Sequence, residues 1–199
     1  MKTKLLGVIG SLNRNSLTRH AVGYVLEQAK ACGAEVQTLD LNETPLPLFN
    51  PERPQHAEYL QARDQVNWAN AYLLGTPDYH GGMSGAMKNF LDYFWKEFSG
   101  KLFGYVCASH EKGLTAMDQM RTSIRQCYGW SVPYGACITD DDFDKNSKKI
   151  INPKIAGRLE LLAYDLTTYA PLLRKQFEAD VASLNAKAGF ASHHQPKKK

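Results

Sequence analysis

The apolar run Leu5-Leu6-Gly7-Val8-Ile9 constrains this chain more than any other feature. Consecutive residues without a polar side chain cannot alternate between core and water. They fit a central strand covered on both faces. Gly10 and Ser11 close the run, and Leu17, His20, Ala21, Tyr24, Val25, Gln28 and Cys32 then recur at helical spacing. Gly33 follows as a helix C-cap. A strand that enters a helix through a short loop is the first half of a parallel crossover, and the rest of the chain repeats the pattern.

Residues 35–41 read as a second strand, less apolar and so nearer a sheet edge. Residues 42–56 carry Pro45, Pro47, Pro51 and Pro54 and read as a long surface loop. A helix over 57–70 has Leu60, Arg63 and Val66 on related faces. Residues 71–75 form a third strand, 76–82 a loop, and Ala86, Met87, Phe90, Leu91 and Phe94 the next helix. Residues 102–108 are a fourth strand and 109–113 its loop; Thr115 caps a helix running through Gln126. The fifth strand lies within 131–139, and Pro133, without an N–H for the ladder, puts it at an edge. Asn152-Pro153 opens a C-terminal helix that Pro171 kinks or splits.

Strict alternation of five strands and five helices predicts an α/β doubly wound parallel sheet of order 2-1-3-4-5, with helices on both faces. Ligands in such sheets bind beyond the carboxyl ends of the strands, at the switch point between strands 1 and 3. The site must then be built from the loops at 10–16, 76–82 and 109–113. Residues 1–186 form one domain, and 187–199 read as a flexible basic tail.

Composition narrows the function classes. The formal charge of +4 includes Lys197, Lys198 and Lys199; the remaining body carries 21 basic and 20 acidic residues. That near-neutral body argues against a nucleic-acid face. The tail alone is a candidate contact for anionic surfaces. No apolar run is long enough to span a bilayer. Lys2 and Lys4 before the apolar run resemble a weak signal peptide, but the run is short and Asn13-Arg14-Asn15 follows, so a buried strand is the better reading. Cys32, Cys107, Cys127 and Cys137 form no CxxC pair and no zinc pattern, which suits reduced thiols in a cytoplasmic protein. The acidic stretch Asp140-Asp141-Asp142-Phe143-Asp144 reads as a solvated loop, with a metal site as the sharper alternative.

The loop Gly10-Ser11-Leu12-Asn13-Arg14-Asn15-Ser16 leaves a central strand and enters a helix. Free N–H groups and the positive end of the helix dipole converge there and suit a phosphate. Ser11 and Ser16 add hydroxyls, and Arg14 a charge-assisted donor. The plainer alternative is that Ser16 caps the helix and Arg14 faces water. Neither GxxxxGK[ST] nor GxGxxG occurs, which argues against P-loop NTPases and dinucleotide-binding Rossmann loops and leaves a mononucleotide.

In the second loop, Gly81 and Gly82 allow close approach to a flat ligand, Tyr79 offers an amphipathic ring and His80 a titratable donor. A turn with Tyr79 packed on the surface is the alternative. The stretch Thr76-Pro77-Asp78-Tyr79-His80-Gly81-Gly82-Met83-Ser84-Gly85-Ala86-Met87-Lys88-Asn89-Phe90-Leu91-Asp92 resembles the NADPH-dependent FMN reductases, a flavodoxin-like family that includes quinone, azo and chromate reductases. Gly10-Ser11 with Arg14 and Ser16, and Pro45-Leu46-Pro47-Leu48-Phe49, match as well. The resemblance covers roughly residues 5–138, and the rest matches only in being helical.

The resemblance implies bound FMN, with NAD(P)H as co-substrate and a small-molecule electron acceptor. Ser11, Asn13, Arg14, Ser16 and Leu17 would hold the phosphate. Pro77, Asp78, Tyr79, His80 and Gly81 would line the isoalloxazine, and Ser109, Lys112 and Gly113 would border its other edge. Many relatives are glycine-rich where this chain has Ser109-His110-Glu111-Lys112-Gly113, a departure that bears on the acceptor. The flavin carries the chemistry, so no side-chain nucleophile is required; His80 is a candidate proton donor. The helix at 84–96, with Lys88 and Asp92 four apart, is implied as a dimer or tetramer interface, although Phe90, Phe94 and Trp95 also suit an ordinary core. A flavodoxin-type electron carrier and a flavin-binding regulator remain as alternatives, and the absence of GxSxG argues against a serine hydrolase.

Overall fold

Neighbouring residues of the first strand serve opposite sides of the sheet. In β1 (Lys4–Ile9), Leu6 and Val8 enter one core while Leu5 and Ile9 enter the other. That is why the run contains no polar side chain: both faces are covered. The computed structural model describes residues 1–53, 56–183 and 189–196. In chain order, α1 (Leu17–Ala31), β2 (Glu35–Asp40), α2 (Ala57–Trp68), β3 (Ala71–Tyr79), β4 (Gly82–Met83), α3 (Gly85–Tyr93), β5 (Leu102–Ala108), α4 (Leu114–Gln126), β6 (Trp130–Ser131), β7 (Ala136–Ile138) and α5 (Pro153–Ala182) follow.

The sheet order is β2-β1-β3-β5-β6, with β7 also beside β5. All pairings are parallel except the β3–β4 hairpin. This is the expected 2-1-3-4-5 winding, with the fifth strand in two pieces. β6 pairs with Leu102 and Phe103, and β7 with Val106, Cys107 and Ala108. Pro133 lies in the gap between them, where a residue without an N–H cannot extend the ladder. Helices α1 and α5 cover one face; α2, α3 and α4 cover the other.

Several local expectations are revised. The buried face of α1 is Thr18, Ala21, Val22, Val25, Leu26 and Ala29, and Cys32 is exposed. In α2 the buried residues are Tyr59, Ala62 and Val66, while Leu60 is turned outward. That helix ends at Trp68, and the Asn70 amide instead pins the start of β1, accepting from Lys4 N at 2.9 Å and donating to Lys2 O at 3.0 Å. Left-handed Gly113, rather than Thr115, occupies the N-cap of α4.

Pro171, expected to kink or split the C-terminal helix, does not split α5, which runs for 30 residues. A helical proline leaves the carbonyl four residues earlier without its N–H partner. Here that carbonyl, on Thr167, accepts the buried Thr3 hydroxyl at 2.6 Å. Residues 189–194 form a 3₁₀ helix, with Phe190 stacked on Phe177 and Tyr128. The segment expected as a tail from 187 therefore makes aromatic contacts with the body over these residues. Lys197, Lys198 and Lys199 lie outside the described residues.

Candidate functional site

Ser84 joins the first two loops. Its hydroxyl donates to Gly10 O at 2.6 Å and accepts from Met87 N at 3.1 Å, capping α3; its N–H donates to Thr76 Oγ1 at 2.9 Å. Gly10 permits this approach, since a Cβ there would lie 2.9 Å from Met87 Cβ. The helix that follows β3 is thus seated directly on the loop that follows β1.

That loop is shaped by its own side chains. Ser11 Oγ accepts from Asn13 N at 3.3 Å, Asn13 Oδ1 from Asn15 N at 2.9 Å, and Ser16 Oγ from Arg19 N at 3.3 Å. Ser16 therefore caps α1, as the plainer reading held. The cap leaves other donors free. Among the described residues, the N–H groups of Leu12, Arg14, Leu17 and Thr18 meet no protein acceptor. Thr18 is fully buried, and its Oγ1 has no partner. The first turn of α1 carries no acidic residue. Unpaired donors at a helix N-terminus are what a phosphate satisfies.

The second loop is largely strand. β3 continues through Thr76, Pro77, Asp78 and Tyr79, and pairs back with β4. Between them His80 (φ 58°) and Gly81 (φ 78°) form a two-residue turn with both residues left-handed, the geometry that hairpin twist favours. Asp78 fixes the arrangement: Oδ1 accepts from Gly81 N at 2.8 Å and Oδ2 from Ser109 Oγ at 2.9 Å. Tyr79 is 57% exposed at the rim. In the third loop Lys112 (φ 61°) and Gly113 (φ 58°) are both left-handed, and a Cβ on Gly113 would lie 2.6 Å from Cys107 Sγ. Burial pushes the Cys107 thiol up to about 12, so it offers no thiolate near neutrality.

A cavity of about 450 Å³ opens between these loops. Of the expected residues, Ser11, Asn13, Ser16, Leu17, Pro77, Asp78, Tyr79 and Ser109 line it. Arg14, His80, Gly81, Lys112 and Gly113 do not. Arg14 is 81% exposed and lies 4.0 Å from Glu43, and His80 sits on the exposed turn. The lining also includes Asn15 and His110, which lie in the expected loops, and Thr18, Ile138, Thr139, Asp140 and Lys148, which sequence reasoning missed. Ile138 and Thr139 follow the split edge strand, and their reach into the site depends on where β7 resumes beside β5. Ala108, at the end of β5, completes that wall.

The acidic stretch is only partly a solvated loop. Asp142 is buried, with Oδ2 accepting from Thr139 N at 2.8 Å and Oδ1 from Asn152 Nδ2 at 2.6 Å. Among the described residues no group of three or more His, Cys, Asp or Glu gathers closely enough to hold a metal ion. On α3, Lys88 Nζ lies 2.5 and 2.7 Å from the Asp92 carboxylate oxygens; Phe90 and Phe94 are core, and Trp95 is 58% exposed. No helix among the described residues is long and apolar enough to cross a membrane.

Fold and topology define a flavodoxin-like protein with a cavity at the switch point. A flavodoxin from the domain Archaea superposes with a TM-score of 0.62 at 14% identity, covering 85% of this chain and 99% of that one. A flavoenzyme NAD(P)H:(acceptor) oxidoreductase from Paracoccus denitrificans superposes at 0.68 with 19% identity, covering 86% and 98%. The model of the NADPH-dependent FMN reductase family matches residues 3–144, and the chain belongs to that family. It is an oxidoreductase with FMN as cofactor and NAD(P)H as co-substrate. An FMN-dependent NADPH-azoreductase of Staphylococcus aureus (strain USA300) is 32% identical over 153 residues, which is 72% of this chain and 80% of that protein.

Proposed function

We propose that this chain passes reducing equivalents from NAD(P)H through FMN in the switch-point cavity to a quinone, an azo or nitro compound, a metal oxyanion or free flavin. The observation that carries this reading is the set of unpaired N–H donors at the start of α1, beside a cavity of about 450 Å³ lined by Ser11, Asn13, Ser16 and Leu17. FMN, when bound, accepts hydride from the nicotinamide and returns electrons to the acceptor. The Ser11, Asn13 and Ser16 side chains and the Leu17 and Thr18 amides would hold the phosphate. Pro77, Asp78, Tyr79 and Ser109 would line the ring. The Asp78–Ser109 hydrogen bond holds the two edges at a fixed separation. His80, at the exposed turn, and Gly81, Lys112 and Gly113 act by shaping the backbone around the site rather than through side-chain contact.

The acceptor enters where Tyr79 and His110 meet solvent, a rim suited to a flat aromatic molecule. Azo compounds are favoured by the likeness to the staphylococcal azoreductase. The chain self-associates as a dimer or tetramer through the segment 84–96: exposed Trp95 in that segment, and exposed Leu48 and Phe49 of the proline-rich loop that packs on Asn89 and Tyr93, support an apolar contact there. A cytoplasmic setting fits four free cysteines.

Steady-state NADPH oxidation separates a reductase from an electron carrier. With FMN present, NADPH is consumed on adding a naphthoquinone or an azo dye. An FMN-loaded protein that consumes neither NADPH nor NADH with any acceptor class is a carrier or regulator.

A further inference from the structure

We propose that Lys148 is the charge-bearing ligand of the FMN phosphate, an inference that rests on the cofactor reading above. Lys148 lies four residues beyond the segment that matches the family model, in a loop that sequence reasoning left outside the site. It lines the same cavity as Ser11, Asn13, Ser16 and Thr18. Lys148 is half-buried, whereas Lys145 and Lys149 in the same loop are exposed.

The loop is built to hold Lys148 there. Phe143 and Ile150 form an antiparallel bridge across its base, and Asp144 N donates to Lys149 O at 2.9 Å. The Asp144 carboxylate accepts from Asn146 N, Ser147 N and Ser147 Oγ, and Asp144 O accepts from Lys148 N at 3.0 Å. These bonds keep Lys148 left-handed at φ 55°, a conformation a lysine adopts only when its surroundings impose it.

Charge points the same way. Among the described residues, no carboxylate oxygen lies within 4.0 Å of the Lys148 ammonium; its charge is felt more weakly by Asp144 in the same loop. Its charge reaches His20 in the first turn of α1, where it adds to burial in lowering the imidazole pKa. Lys148 and the helix end that carries the free Leu17 and Thr18 amides line the same cavity. Arg14, the cation expected from sequence, is turned out toward Glu43. The cavity is also lined by Asp140, 3.8 Å from His110 Nε2, whose charge repels a phosphate dianion and favours a cation elsewhere in the lining.

Flavin-free protein is titrated with FMN and, separately, with riboflavin, which lacks the phosphate, by quenching of flavin fluorescence. Lys148→Gln should raise the Kd for FMN by about 10- to 100-fold and leave that for riboflavin unchanged. Lys148→Arg should recover most of the loss. Riboflavin binding also reports that the variant is folded. Unaltered FMN affinity in Lys148→Gln, or equal weakening of both flavins, would overturn the inference alone. Wild-type protein that takes up no FMN would overturn it together with the cofactor reading.

Discussion

Ser109 Oγ donates a 2.9 Å hydrogen bond to Asp78 Oδ2, joining the loop after β5 to the hairpin after β3. The other oxygen of the same carboxylate accepts from Gly81 N at 2.8 Å and holds the turn that carries His80. One side chain therefore sets both walls of the cavity.

Replacing Asp78 with Ala should release that link while leaving the core intact. The Kd for FMN should rise by about tenfold, with a small change in thermal midpoint. Asp78→Asn, which keeps an acceptor for Gly81, should lie between the two. Flavin titration and a thermal melt on each variant check this; unchanged FMN affinity in Asp78→Ala would show that the loops hold their spacing without the carboxylate.

Ser84→Ala should destabilise the whole domain. It removes the cap of α3 and leaves Gly10 O buried without its donor. The expected cost is about 1–3 kcal/mol, read from urea denaturation. Ser84→Thr, which retains the hydroxyl, should recover part of it.

Thr3 and Pro171 should be coupled. Thr3→Val removes the donor to Thr167 O and should cost about 1–2 kcal/mol. Pro171→Ala restores an N–H that can reach the same carbonyl, so the loss from Thr3→Val should shrink in that background. A double-mutant cycle measures the coupling, and additive costs would refute it.

Lys101 gives the stability a pH dependence. Its ammonium is buried beside Tyr72, donating to Val66 O at 2.9 Å and Tyr72 OH at 3.1 Å. Burial, with Arg174 nearby, lowers its pKa from 10.5 to about 7. The folded state therefore binds this proton less tightly than the unfolded chain does. Its penalty is full below about 7 and is relieved as pH rises toward 10.5. Wild type should gain stability on going up from neutral pH, and Lys101→Met should show less of that gain. Equal slopes in denaturation series at several pH values would contradict the assignment.

The winding order was legible because unbroken apolar runs mark buried parallel strands, and β1, β3 and β5 each carry one. The extension of β3 to Tyr79 was not, because Pro77 and Asp78 are turn residues by composition. Pro77 is tolerated near the end of its pairing with β5, opposite Ala108. The serines and asparagines of the first loop were legible from strand–loop–helix context. The direction of Arg14, toward Glu43, was not legible, because side-chain direction in a loop depends on partners that no local pattern reveals. Lys148 left no local signal: it reaches the cavity only because residues 143 and 150 bridge and β7 resumes beside β5. Phe190 was likewise hidden, since its partners Tyr128 and Phe177 are distant in sequence.

FMN held at the switch point of this fold should be reduced by a nicotinamide nucleotide. The direct measurement is the visible spectrum of the FMN-loaded protein under anaerobic addition of NADPH. The flavin absorption band should bleach with a stoichiometric amount of NADPH and return on adding a quinone or an azo dye. A bound flavin band that neither NADPH nor NADH bleaches would contradict it.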